Sequence, residues 1–66
     1  MKEFEYKGLI VELEEFDQKE NGGSGITWTS YVYKEKGMDY IDKYTISADS
    51  VEELETQVKI AIDKDF

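Results

Sequence analysis

The chain has 66 residues and a formal net charge of −8, from 16 acidic and 8 basic residues, with no cysteine and no histidine. A chain of that length supports one small domain, burying roughly 60% of the surface its unfolded form exposes. Disulfides, thiolate metal sites, cysteine nucleophiles, His–Cys zinc sites and imidazole bases are all excluded.

Every basic residue is a lysine. Without arginine, bidentate recognition of phosphate or guanine is unavailable, and the net negative field repels a nucleic-acid backbone. Direct nucleic-acid binding is therefore disfavoured. The acidic charge serves solubility or presents a surface to a basic partner. No apolar run approaches the roughly 20 residues of a membrane span. The opening Met1, Lys2, Glu3 lacks the apolar segment of a signal peptide. The expected location is the cytoplasm.

In chain order, Phe4 and Tyr6 alternate with Glu3, Glu5 and Lys7, which predicts a short N-terminal strand. Gly8 then breaks the pattern. Alternation changes phase across it, which favours a tight turn at Lys7 and Gly8 over a bulge in one continuous strand. Residues 9–16 form the next strand, with Leu9, Val11 and Leu13 on one face and Ile10, Glu12 and Glu14 on the other. Residues 17–25 read DQKENGGSG, a flexible loop in which Asn21 and Gly22 signal a type I′ turn. The GGSG run fits neither phosphate-binding glycine motif, and it also looks like an engineered linker.

Residues 26–34 read ITWTSYVYK and predict a third strand. Ile26, Trp28 and Val32 are expected to face the helix, with Tyr31 and Tyr33 on the outer side. After a turn at Glu35, Lys36 and Gly37, residues 38–46 predict a last strand. Met38, Tyr40, Tyr44 and Ile46 share one face, with Asp42 interrupting it, and Ile41, Lys43 and Thr45 share the other.

Residues 50–66, SVEELETQVKIAIDKDF, carry the clearest helical period. Val51, Leu54, Val58, Ala61 and Ile62 fall in one apolar stripe. Ser50 and Glu53 have capping-box spacing. Glu52 and Glu53 complement the positive helix terminus, and Glu55 and Lys59 are an i,i+4 pair. Ile60 and Phe66 either widen the buried face or stay available to a partner.

The expected fold is α+β. A small antiparallel sheet of three or four strands is covered on one face by a single C-terminal α-helix, in the order β-β-β-α with an additional short N-terminal strand. Residues 1–66 make one domain. With the helix on one side, the other face of the sheet lacks a cover unless a partner or second subunit supplies one.

That uncovered face is the first functional candidate. Tyr31 and Tyr33, beside Ile10 and Ile41, present contact area that loses little entropy on binding. They serve recognition, dimerisation, or ordinary cross-strand packing. The acidic group Glu12, Glu14, Glu15, Asp17 and Glu20, extended by Glu3 and Glu5, is the second. It is a solvated surface, a protein-binding patch imitating nucleic-acid phosphate, or a loose cation site without EF-hand spacing. Glu12 and Glu14 share a strand face, as paired catalytic carboxylates would, but acid–base chemistry also needs a pocket. Asp42, on an otherwise apolar face, is explained by a turn, a bulge or a solvent-facing edge.

The segments FEYKGLIVELEEF, ITWTSYVYK and YTISADSVEELETQVKIAIDK together resemble small sheet-plus-helix domains of the HicB antitoxin type. Ser50 matches the capped start of their last helix, and Val51, Leu54 and Val58 match its core-facing positions. The resemblance implies toxin binding and self-association. The chain departs from that family in lacking proline and the aromatic, proline- and glycine-rich segment between strands. Small acidic inhibitors from phages and mobile elements are similar in a comparably general way. The resulting expectation is a non-catalytic protein-interaction domain, binding a protein partner or forming a homodimer. Its candidate surface is Tyr31, Tyr33, Ile10, Glu12, Glu14 and Ile41, with no catalytic, cofactor or metal residues. An acidic nucleic-acid mimic is the alternative, and a small carboxylate enzyme a more remote one.

Overall fold

Lys7 and Gly8 both adopt positive φ, 52° and 80°. That pair of values marks a type I′ turn, whose twist suits a two-residue hairpin. It joins strand β1 (Lys2–Tyr6) to β2 (Leu9–Asp17), and the expectation of a turn at Gly8 holds. A computed structural model of the chain describes residues 1–17 and 25–66. The Asn21–Gly22 turn and most of the predicted flexible loop lie outside the described residues.

β1 pairs antiparallel with β2, placing Phe4 opposite Val11 and Tyr6 opposite Leu9. β2 pairs antiparallel with β3 (Ile26–Tyr33), placing Val11 opposite Val32 and Leu13 opposite Ser30. A two-residue strand, β4 (Ser47–Ala48), completes a four-stranded sheet in the order β1-β2-β3-β4. Helix α1 (Val51–Asp63) lies on one face. The fold is the expected open antiparallel sheet packed against one C-terminal helix.

Period-two alternation puts Leu9, Val11, Leu13 and Val32 on the helix side, where all are buried. Leu54, Val58 and Ile62 meet them from α1, with Val51 and Ala61 half-buried at the margins. Ser50 accepts a bond from the Glu53 amide at 3.2 Å, so the helix begins where its cap predicts. Glu53 itself accepts from Gln57 Nε2 at 3.0 Å. Past Asp63 the chain tightens, with Asp65 N donating to Ile62 O at 3.0 Å. Ile60 and Phe66 are exposed.

The strand predicted over residues 38–46 is not there. Residues Asp42–Tyr44 form a single 3-10 turn instead. Ser30 is the physical reason. Its hydroxyl donates to Tyr44 O at 2.6 Å and accepts from Ile46 N at 2.9 Å, while its amide donates to Ile46 O at 2.9 Å. Ile41 N donates to Val32 O at 2.7 Å. The edge of β3 is thus satisfied by irregular backbone that needs no strand. The faces assigned to 38–46 change accordingly. Tyr44 is buried in the core, Ile41 packs against that core, and Asp42 is exposed at the start of the turn. Trp28 packs against the core as expected, but Ile26 is 49% exposed.

Candidate protein-interaction surface

The face of the sheet away from the helix is set by the same alternation that builds the core. Three cross-strand rows lie on it: Glu5–Ile10–Tyr33, Glu3–Glu12–Tyr31 and Glu14–Thr29–Ser47. Phe16 extends it and stays exposed. Thr29 and Ser47 join their hydroxyls at 3.0 Å. Five of the six expected surface residues, Tyr31, Tyr33, Ile10, Glu12 and Glu14, are therefore brought together. Ile41 is not among them, because its side chain packs against the core.

Sequence reading missed Tyr40, Met38 and Lys36 as members of this face. Gly37, at φ 91°, lies in a turn closed by Met38 N donating to Glu35 O at 3.3 Å. Beyond that turn the Tyr40 ring stands edge-on to Tyr31 at 5.2 Å between centroids and to Tyr33 at 6.4 Å. These are favourable T-shaped arrangements. The available signal was the glycine after Glu35 and Lys36, which permits a reversal rather than a straight strand.

Glu12, Tyr33, Lys36, Gly37 and Met38 line an open concavity of about 370 Å³. Burial, then the neighbouring Glu12 carboxylate, pushes the Tyr33 phenol above its ordinary value, with Glu14 adding in the same direction. A second concavity of about 480 Å³ lies on the helix side, lined by Leu9, Ile41, Tyr44 and Phe66 with Lys34, Lys43 and Asp65.

Charge is divided unevenly between the two sides. On the helix side, Glu55, Asp63 and Asp65 are matched by cations. Lys2 reaches Glu55 at 2.5 Å, Lys7 reaches Asp63 at 2.7 Å, Lys43 reaches Asp65 at 3.0 Å and Lys59 reaches Glu55 at 3.2 Å. Tyr6 and Tyr44 also donate to Asp63 and Asp65, at 2.8 and 2.5 Å. These contacts offset two carboxylates lying at the negative end of the helix dipole.

On the outer face, Glu3 stands directly opposite Glu12, an arrangement of like charges that costs stability. Lys36 meets this group, 3.1 Å from Glu3. Of the other acidic candidates, Glu15 pairs with Trp28 and so points to the opposite face, and Glu20 lies outside the described residues. Among the described residues, no three carboxylates gather in a metal-binding group. No described helix is long and apolar enough to cross a membrane. No protein-family model, curated protein or solved structure matches the chain.

Proposed function

We propose that this chain is a small acidic protein-interaction domain, non-catalytic and cytoplasmic, that binds a protein partner through the outer face of its sheet. The observation that carries the reading is the cluster of Tyr31, Tyr33 and Tyr40 beside the carboxylates Glu3, Glu5, Glu12 and Glu14. Aromatic anchors flanked by polar groups are the usual composition of binding hot spots. The like-charged Glu3–Glu12 pair weakens the isolated sheet, and contact with a basic partner relieves that cost. The HicB-like layout fits the same reading, with a small toxin as the partner class. In the homodimeric version, a second copy covers the face.

Affinity capture with matched variants tests this. Wild type and Ile60→Ser, altered on the exposed back of the helix, should recover the same partner. Tyr31→Ser/Tyr33→Ser should lose it by about tenfold or more, with its fold checked by circular dichroism. Equal recovery by all three proteins would remove the outer face from the account. Sedimentation of the wild type alone reads the homodimeric version.

The grouping of four carboxylates on adjacent strands supports a second reading, an acidic mimic occupying the basic site of a nucleic-acid-binding protein. Release of the captured partner by duplex DNA would favour the mimic. Retention in excess DNA would count against it.

A further inference from the structure

We propose that the free edge of β1 is a docking site for an extended basic segment of a partner protein, which adds to the sheet as a further strand. The proposal rests on the outer face being an interaction surface, and it specifies the partner's chemistry.

In a type I′ hairpin the residues flanking the turn bond to one another across it, here Tyr6 and Leu9. Antiparallel pairing alternates from there, so Lys2, Phe4 and Tyr6 direct their backbone groups toward β2. The amides and carbonyls of Glu3 and Glu5 point outward. Among the described residues no strand pairs with that side of β1. An unpaired edge of this kind is a template for strand addition.

Charge selects what can pair there. Only residues 3 and 5 of β1 offer outward backbone groups, and both are glutamates whose side chains lie on the outer face. Any antiparallel hydrogen-bonded register between two copies of β1 therefore sets glutamate against glutamate. Directly opposed like charges are destabilising. A strand carrying lysine or arginine at alternate positions meets Glu3 and Glu5 with opposite charge. Its intervening side chains fall beside the half-buried Phe4 and Tyr6.

Lys36 already shows the complementarity. Its ammonium lies 3.1 Å from Glu3 although its side chain is 70% exposed. It is a weakly held internal cation on a carboxylate that a partner's cation would also meet. The helix-side lysines Lys2, Lys7, Lys43 and Lys59 are engaged with Glu55, Asp63 and Asp65, so among the described residues Lys36 is the lysine that reaches a β1 carboxylate.

The test uses a labelled peptide alternating lysine and valine, with a control of the same composition whose lysines are clustered. Fluorescence anisotropy reads affinity, and amide hydrogen exchange reads the edge. The alternating peptide should bind more tightly than the clustered one and slow exchange at Glu3 and Glu5. Glu3→Lys/Glu5→Lys should lose that binding by about tenfold or more, and Lys36→Ala should gain about two- to threefold by removing the competing cation. The charge-reversed variant mixed with wild type should form a heterodimer, while each protein alone sediments as a monomer. Binding that leaves the Glu3 and Glu5 amides unchanged but perturbs Tyr31, Tyr33 and Tyr40 overturns edge docking and leaves the outer-face reading standing. A wild-type dimer with those two amides protected overturns the charge selection. Equal binding of both peptides overturns the extended geometry. Absence of contact at both edge and face removes both readings.

Discussion

Ser30 occupies a core-facing position on β3, yet it is polar and fully buried. An apolar residue there would pack, but it would leave Tyr44 O and Ile46 N without the partner that the hydroxyl supplies. Ser30→Ala is therefore expected to cost about 1–3 kcal/mol, the penalty for stranding buried polar groups. Urea denaturation checks this, and a loss below about 0.5 kcal/mol would mean that water or a backbone shift replaces the hydroxyl. The alternation of residues 26–34 already put Ser30 on the inner face. Its bonding was illegible because the groups it serves lie 14 and 16 residues away.

At the scale of the element, β1, β2, β3 and α1 were all legible, because each has its own period. Leu9, Val11 and Leu13 repeat every second residue, and Leu54, Val58 and Ile62 every fourth. The segment 38–46 has alternating apolar residues too, but its backbone bonds run to β3 through Ser30, Ile41 and Ile46 rather than along a regular ladder. Pattern alone cannot distinguish these arrangements. The Lys7–Gly8 turn is the converse case, in which one glycine locates the hairpin. An added Cβ at Gly8 meets nothing within 4 Å, so the cost of Gly8→Ala comes from its φ of +80° alone. That substitution is expected to destabilise by about 1–2 kcal/mol, with Gly8→Asn costing less because asparagine tolerates positive φ. Equal stability of the three proteins in thermal melts would contradict this account of the turn.

For the whole molecule, the ion pairs around the helix tie stability to pH. Lys7 and then Tyr6 hold Asp63 below its ordinary value of 3.8, Tyr44 and then Lys43 do so for Asp65, and Lys2 and then Lys59 hold Glu55 below 4.5. A depressed carboxylate contributes stability above its unfolded value, which is lost as pH falls through its folded value. Tyr6 and Tyr44 are raised above 10.0 by their bonds to Asp63 and Asp65, and the same two carboxylates raise Lys7 and Lys43 above 10.5. Groups raised in the fold contribute fully below their unfolded values and lose that contribution as pH rises through the folded ones. Stability from these pairs should therefore hold between about pH 5 and pH 10 and decline outside that window. Thermal melts across pH check this. Asp63→Asn/Asp65→Asn should flatten the acid limb, and an unchanged limb would show that these pairs do not govern it.

Composition and periodicity by themselves determined the sheet-plus-helix class, the hairpin, the capped helix and most of the aromatic and acidic outer face. These depend on residues close in the chain, whose spacing sets which side of an element they occupy. Tertiary structure alone decided that Ile41 and Tyr44 go inward and that Tyr40 and Lys36 join the outer face. It also matched Glu55, Asp63 and Asp65 to lysines and, among the described residues, left Glu3 and Glu5 beside an unpaired strand edge. Those outcomes depend on which distant backbone groups satisfy one another and where the chain reverses, and local periodicity carries no information about either.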